Sequence, residues 1–211
     1  ALLERKGEPT LLLMTQGFGD LLRIGYQNRP RIFDLHIVLP ELLYTMVAEV
    51  PERLSANGQI IKPLDESAVI ALLQDAYAQG LRSVAIAFMH GYQHTQHEQR
   101  VAILARQCGF TQVSVSHEVS PLIKLVARGD TTVVDAYLSP ILRRYVQQVE
   151  DELSTDRKDT ALMFMQSNGG LTDAHLFQGK DAILSGPAGG VVGMTRTAQA
   201  AGYEYLIGFD M

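Results

Sequence analysis

Three short runs in the last quarter of the chain have the composition of a phosphate site: Gln166-Ser-Asn-Gly-Gly170, Ser185-Gly-Pro-Ala-Gly-Gly190 and Ile207-Gly-Phe-Asp210. Glycines let backbone N–H groups approach an anion with no Cβ in the way. A helix that begins just after such a turn aims its positive dipole at the same point. Asp210, beyond the apolar run Tyr205 to Phe209, is placed to hold a divalent metal through water. Ser185, Gly186, Pro187, Ala188, Gly189 and Gly190 read as a loop entering a helix of small residues. Either their N–H groups cradle phosphate, or the small side chains merely let the helix pack closely on a sheet. The run fits neither the P-loop nor the dinucleotide fingerprint. Gln166, Ser167, Asn168, Gly169 and Gly170 follow the apolar run Ala161 to Met165. That places them at the carboxyl end of an expected strand, where open α/β sheets bind ligands; a plain turn would have a similar composition.

Other reactive residues give weaker patterns. His90, His94, His97 and Glu98 form the one metal-like cluster, but Thr95 as a helix cap makes His94 and His97 straddle the helix start. The competing reading is a surface loop with Glu98 in a helix's first turn. His117-Glu118 beside Pro121 reads as orienting a loop rather than moving protons, and Arg128-Gly-Asp130 is set aside as an adhesion motif. Cys108, the single cysteine, excludes an intrachain disulfide and points to a reducing cytoplasm.

These groups need a scaffold, and 211 residues suffice for one large domain or two small ones. With 46% hydrophobic and 19% charged residues and a net charge of −5, the chain has no basic run, which argues against nucleic acid. No membrane span is expected either: Leu35 to Val50 is broken by His36, Pro40, Glu41 and Glu49 and reads as buried strands.

Leu11 to Thr15 and Ser83 to Phe88 are apolar runs of strand length, the second suited to a strand covered on both faces. Thr45 to Val50 and Gln59 to Ile61 suggest a hairpin around Ser55-Ala-Asn-Gly58. Asp65 caps a helix with Val69, Leu72, Leu73 and Ala76 on one face, and Gly80 stops it. A helix over Gln96 to Gln107 ends at Gly109, and Thr111 to Ser116 is the next strand. From Gly129 a helix runs through Leu138, where Pro140 either kinks it or starts another that reaches Leu153. Ala161 to Met165, Ala188 to Ala200 and Tyr205 to Phe209 read as strand, helix and strand. The alternation predicts an α/β fold with a mainly parallel sheet and flanking helices.

In order along the chain, several segments resemble the hydantoinase A and 5-oxoprolinase family. They are Ala1 to Gly7, Thr15-Gln-Gly-Phe-Gly-Asp20 with Leu22 to Pro30, Pro63-Leu-Asp-Glu66, His97-Glu98, Ser116 to Pro121, Thr131-Thr132 with Asp135 to Leu138, Met165 to Gly170, Ser185 to Gly190 and Ile207 to Met211. The resemblance implies a partial actin-like ATPase (ribonuclease H-like) fold. It implies residues 1–119 as the remainder of the family's N-terminal region and 120–211 as the start of its ATPase region. The implied chemistry is ATP- and Mg²⁺-dependent opening of a cyclic amide through a phosphorylated intermediate. In that reading Asp210 serves catalysis and metal, Ser185 to Gly190 the nucleotide, and Gln166 to Gly170 the substrate. An oligomer with a second hydantoinase-type subunit is implied as well. A ketone carboxylase subunit and a non-catalytic nucleotide- or partner-binding module stay open. The family's two glycine-rich phosphate turns belong before Ala1 and after Met211, so the chain reads as an internal fragment that does not turn over ATP alone. Asp135 stands where the family often has Asn, and Leu122 to Ala127 is less charged than the family pattern.

Overall fold

Thr10–Thr15 (β1) is buried at all six positions because it lies between two parallel neighbours. The computed structural model describes residues 2, 4–27, 31–153 and 161–209. After β1 come Leu21–Ile24 (α1), Met46–Val50 (β2), Arg53–Leu54 (β3), Ile60–Lys62 (β4), Glu66–Ala78 (α2), Ser83–Ala87 (β5), Gln96–Gln107 (α3), Gln112–Val115 (β6), Ser116–Val119 (α4) and Leu125–Leu153 (α5). The four longer strands form one parallel sheet in the order β2-β1-β5-β6, as the α/β reading expects. Alternate residues of β1 and β5 serve its two faces. Leu11, Leu13, Val84 and Ile86 meet Val69, Leu73 and Ala76 of α2 and Val101, Leu104 and Ala105 of α3. Leu12, Met14, Ala85 and Ala87 meet Leu22, Val133 and Ala136. Each fully buried leucine contributes about 1.5–3 kcal/mol relative to exposure, so β1 and its two neighbours carry much of this core.

The local signals at helix ends hold. Asp65 accepts a hydrogen bond from the Ala68 N–H at 3.0 Å, and Gly80 and Gly109 follow α2 and α3 with φ of +92° and +99°. Pairing beyond β1 differs from expectation. β2 joins β1, and the hairpin is made instead by β3 with β4, two shorter segments on either side of the Ser55–Gly58 turn. Leu35 to Val38 is not buried strand: Phe33, Leu35 and Val38 face solvent, and the sheet is joined only from Met46. Pro40 interrupts the stretch, whose backbone is tied down by Arg23 donating to the Pro40 carbonyl at 2.9 Å.

Pro140 neither ends α5 nor starts another helix. A proline has no N–H for the carbonyl four residues earlier, here Ala136. The Ser83 hydroxyl supplies the missing donor at 2.7 Å, inside the core. Helix start, too, lies earlier than expected, at Leu125 rather than Gly129.

Residues from Glu4 to Leu138 form one compact unit, and those from Ser139 onward form a second. The second holds the rest of α5, Met163–Met165 (β7), Leu171–Asp173 (β8), Gly179–Ala182 (α6) and Ser185–Ala200 (α7). Val146, Ala174 and Phe177 centre its small core, where the Phe164 and Phe177 rings stack 5.1 Å apart. β7 pairs antiparallel with β8. Tyr205 to Phe209 is not a strand among the described residues: it has no ladder partner, and Tyr205, Ile207 and Phe209 are almost fully exposed. A strand needs a neighbour to take its N–H and C=O groups, and apolar composition alone does not provide one.

Removing the Ser83 hydroxyl should leave the Ala136 carbonyl buried without a donor. Ser83→Ala is expected to cost about 1–3 kcal/mol in denaturant unfolding, most of it recovered when Pro140→Ala restores the helical N–H; a neutral Ser83→Ala would overturn this account.

Candidate functional site

Open parallel sheets present ligand sites beyond the carboxyl ends of their strands. In this sheet that edge is unusually polar for its degree of burial. Four strand ends bring Thr15, Glu52, Ser116 and the Phe88 and Met89 backbone together with His97 and Glu98 of α3, His117 of α4 and Arg128 of α5.

Two carboxylates organise it. Glu98 is fully buried; its Oε1 accepts from the Phe88 N–H at 2.8 Å and the Ser116 hydroxyl at 2.5 Å. Its Oε2 accepts from the His117 N–H at 3.2 Å and from His117 Nδ1 at 2.7 Å. The other ring nitrogen of His117, Nε2, lies 3.8 Å from Glu118 Oε1. Glu52 is also buried and accepts from the Thr15 hydroxyl, which itself accepts from the Met89 N–H at 2.9 Å. Its Oε2 pairs with His97 Nδ1 at 2.7 Å. Both arrangements resemble the carboxylate-oriented imidazoles of general acid–base sites, and both hold strand ends together.

Arg128 closes the network with no exposed surface. Nε donates to Ser116 Oγ at 2.9 Å, Nη1 to the Leu122 carbonyl at 2.7 Å and Nη2 to the Phe88 carbonyl at 2.5 Å. Burial lowers its pKa from the ordinary value, and the nearby Glu98 and Tyr92 act in the opposite direction. Gly91 runs so close to Glu98 that a Cβ there would lie 2.3 Å from Oε1. The loop after β1 adds a further carboxylate: the Gly19 N–H donates to Glu49 Oε1 at 2.8 Å. The amides of Gly19 and then Gly17 hold Glu49 below the ordinary glutamate range.

Several expected sites are therefore placed differently. His97 and Glu98 belong to buried pairs rather than a surface loop, while His94 Nε2 lies 3.0 Å from the Ala56 carbonyl. No group of three His, Cys, Asp or Glu suited to a metal occurs among the described residues. Arg128, set aside with its Gly-Asp neighbours, is the hub of the network. Sequence reasoning also missed Glu52, whose only local signal is a position next to a strand end, and gave Ser116 no role beyond its place in a family-like segment.

In the second unit, Gln166 to Gly170 is the turn of the β7–β8 hairpin, not the carboxyl-end loop of a parallel strand. Gly169 has φ +82°, and the Gly170 N–H donates to Asn168 Oδ1 at 2.8 Å. Ser185 to Gly190 is not a loop before the helix; it is the first turn and a half of α7. Pro187 has no N–H and the Ala188 N–H is used on the Leu184 carbonyl, leaving the amides of Ser185 and Gly186 among those a helix start cannot satisfy internally. The two runs do meet. Ser167 Oγ accepts from the Leu184 N–H at 3.0 Å and donates to the Asp181 carbonyl at 2.6 Å, and a Cβ on Gly189 would touch Met165. A Cβ on Gly186 or Gly190 would meet open space, so that side of α7 can be approached closely. Asp210 lies outside the described residues.

Residues 1–109 match the family described as the hydantoinase/oxoprolinase N-terminal region, and residues 128–211 match hydantoinase/oxoprolinase. The chain is 42% identical to 5-oxoprolinase of Saccharomyces cerevisiae, over 99% of this chain and 18% of that protein. It is 32% identical to the caprolactamase subunit alpha of Pseudomonas jessenii, over 100% of this chain and 31% of that subunit. The crystal structure of the ATP-dependent caprolactamase from that organism aligns with TM-score 0.82 at 31% identity, covering 97% of this chain and 30% of that one. A nucleotide-free acetone carboxylase structure shares the fold, with TM-score 0.81 at 21% identity over 96% of this chain and 31% of that one. The chain thus spans about a fifth to a third of the length of these relatives.

Two measurements test the site. Arg128→Met should destabilise the chain by about 3–5 kcal/mol in denaturant unfolding, since it strips donors from buried oxygens beside a buried carboxylate; Arg128→Lys should rescue little, because one ammonium cannot serve acceptors in three directions. A carboxylate with a lowered folded pKa contributes stability above its unfolded pKa, lost as pH falls through the folded value. The Gly19 amide resonance should therefore titrate with a midpoint below the ordinary glutamate range, and a midpoint within or above that range would contradict the contact.

Proposed function

We infer the function from the fact that this chain belongs to the hydantoinase/oxoprolinase family: it is part of an ATP-dependent hydrolase that opens a cyclic amide of the hydantoin or 5-oxoproline type. The observation that carries this reading is the 42% identity to a 5-oxoprolinase along 99% of the chain. Similarity to an ATP-dependent caprolactamase, whose substrate by name is another cyclic amide, supports it.

An amide carbon is a poor electrophile. Transfer of the terminal phosphoryl group of ATP to the amide oxygen, with ADP leaving, would make the amide carbon reactive towards water; water's attack would break the ring C–N bond and release phosphate, while positioned donors stabilise the charge that moves. ATP supplies that phosphoryl group, with Mg²⁺ offsetting its charge. The Gly186 and Gly190 backbone, open to close approach, fits the nucleotide role of Ser185 to Gly190. The hairpin turn Gln166 to Gly170, bonded to the start of α7 through Ser167, serves the substrate side of the same unit. Asp210 serves Mg²⁺ and catalysis. In this reading residues 1–119 complete an N-terminal region and residues 120–211 begin an ATPase region of the actin-like kind.

A second hydantoinase-type subunit in an oligomer is part of the proposal, supported by the designation of the caprolactamase relative as a subunit alpha. A cytoplasmic location is proposed from the single cysteine, and no helix among the described residues is long and apolar enough to cross a membrane.

The complete polypeptide containing this chain should hydrolyse ATP faster when given a cyclic amide, and Asp210→Asn should lower that rate by at least about a hundredfold. Ring opening without ATP would overturn the reading. Stimulation by small ketones alone would favour a carboxylase, and stimulation by none of these a binding module.

A further inference from the structure

In the first unit, Phe33 and Leu35 are almost wholly exposed, and Ile32 and Val38 are 72% and 74% exposed. Single apolar side chains on a surface are ordinary, but these four share one short run, and Ile37, Leu39 and Leu42 beside them also reach solvent. The run is fastened to the fold. Arg23 Nη1 donates to the Pro40 carbonyl at 2.9 Å and Arg5 Nη1 to the Glu41 carbonyl at 3.3 Å. Just beyond, Leu43 and Tyr44 pack on the core around Leu12 and Met14, and the Thr45 N–H donates to the Thr10 carbonyl at 2.9 Å. The Asp34 N–H closes a turn on the Arg31 carbonyl at 3.3 Å. Its carboxylate, between Phe33 and Leu35 in the chain, makes no hydrogen bond or ion pair among the described residues.

Three observations bear on what covers this ridge. The chain spans 18% of the 5-oxoprolinase and 31% of the caprolactamase subunit alpha, so in each relative the rest of the polypeptide is more than twice as long as the matched stretch. A cover belonging to the same polypeptide is held close by the chain itself, at a high effective concentration. A lipid surface fits poorly, because residues 31–42 carry Asp34 and Glu41 against Arg31 alone, where a membrane-surface segment carries a basic face. A two-fold contact with a second copy would bring both carboxylates of each copy to one apolar interface with a single arginine apiece to offset them.

We propose that the 32–38 ridge is an internal docking surface, covered by a part of the same polypeptide that lies outside these 211 residues. The cover presents apolar side chains around a lysine or arginine that faces Asp34, since a carboxylate taken out of water needs a cation or donors. The assignment is independent of the reaction the enzyme performs.

The test uses the complete polypeptide with photoreactive p-benzoylphenylalanine in place of Leu35, a side chain that supports nothing in this fold. Irradiation of a mixture of isotopically heavy and light protein should link position 35 to a residue of the same polypeptide outside the 211, with no heavy–light links. A link to a second copy, to another subunit or to lipid, a link only within the 211 residues, or no link would each overturn the assignment. Hydrogen exchange gives a second readout in unmodified protein. The amides of residues 35–39 make no hydrogen bond among the described residues, so uncovered they should exchange at close to the unstructured rate. In the complete polypeptide they should be slowed by at least about tenfold. Asp34→Lys should lose that protection and Asp34→Asn should keep most of it; unprotected amides in the wild type, or equal protection in the lysine variant, would count against the cover and its cation respectively.

Discussion

A guanidinium with no access to water must find an acceptor in every direction in which it points a donor, and Arg128 meets that constraint by joining four segments. It bonds the end of β5 through the Phe88 carbonyl, the start of α4 through Ser116, and the 122–123 backbone, all from the first turn of α5. Glu98 supplies the compensating negative charge from α3 and shares Ser116 with it. Such a network is intolerant of partial occupancy, because any missing member leaves another buried polar group unmet. The positions of α3, α4 and α5 around the sheet edge follow from that requirement as much as from apolar packing.

The second carboxylate network has the same logic one strand along. Glu52 takes a hydroxyl from the end of β1 and an imidazole from α3, while the Thr15 hydroxyl takes the Met89 amide. His97 and Glu98 are adjacent on α3 and serve different networks, so the start of one helix fixes the ends of β1, β2, β5 and β6 together. This leaves the outer loops, with Gln16, Gly17, Phe18 and Gly19, on a stiff base.

Each unit, taken by itself, carries a different feature. Small residues in the second unit leave backbone accessible on α7, the feature a phosphate group requires. The sheet edge in the first unit supplies imidazoles oriented by buried carboxylates, an arrangement of the general acid–base kind.

Local sequence determined the elements whose signals are local. Leu11 to Thr15 and Ser83 to Phe88 are readable as strands because a continuous apolar run of that length has few other uses, and Asp65, Gly80 and Gly109 mark helix ends through their own backbone and side-chain chemistry. The family was legible for a similar reason, since ordered motifs survive without knowledge of contacts. Pairing and burial were not. Whether β2 meets β1 or β4, whether Gln166 to Gly170 ends a parallel strand or turns a hairpin, and whether Ser185 to Gly190 is loop or helix all depend on neighbours distant in the chain. Tyr205 to Phe209 has strand composition and no strand partner among the described residues. Arg128, Glu98 and Glu52 look like surface charges in sequence, because a charged residue acquires its meaning from the partners that remove it from water. Only the tertiary structure brings those partners within hydrogen-bonding distance.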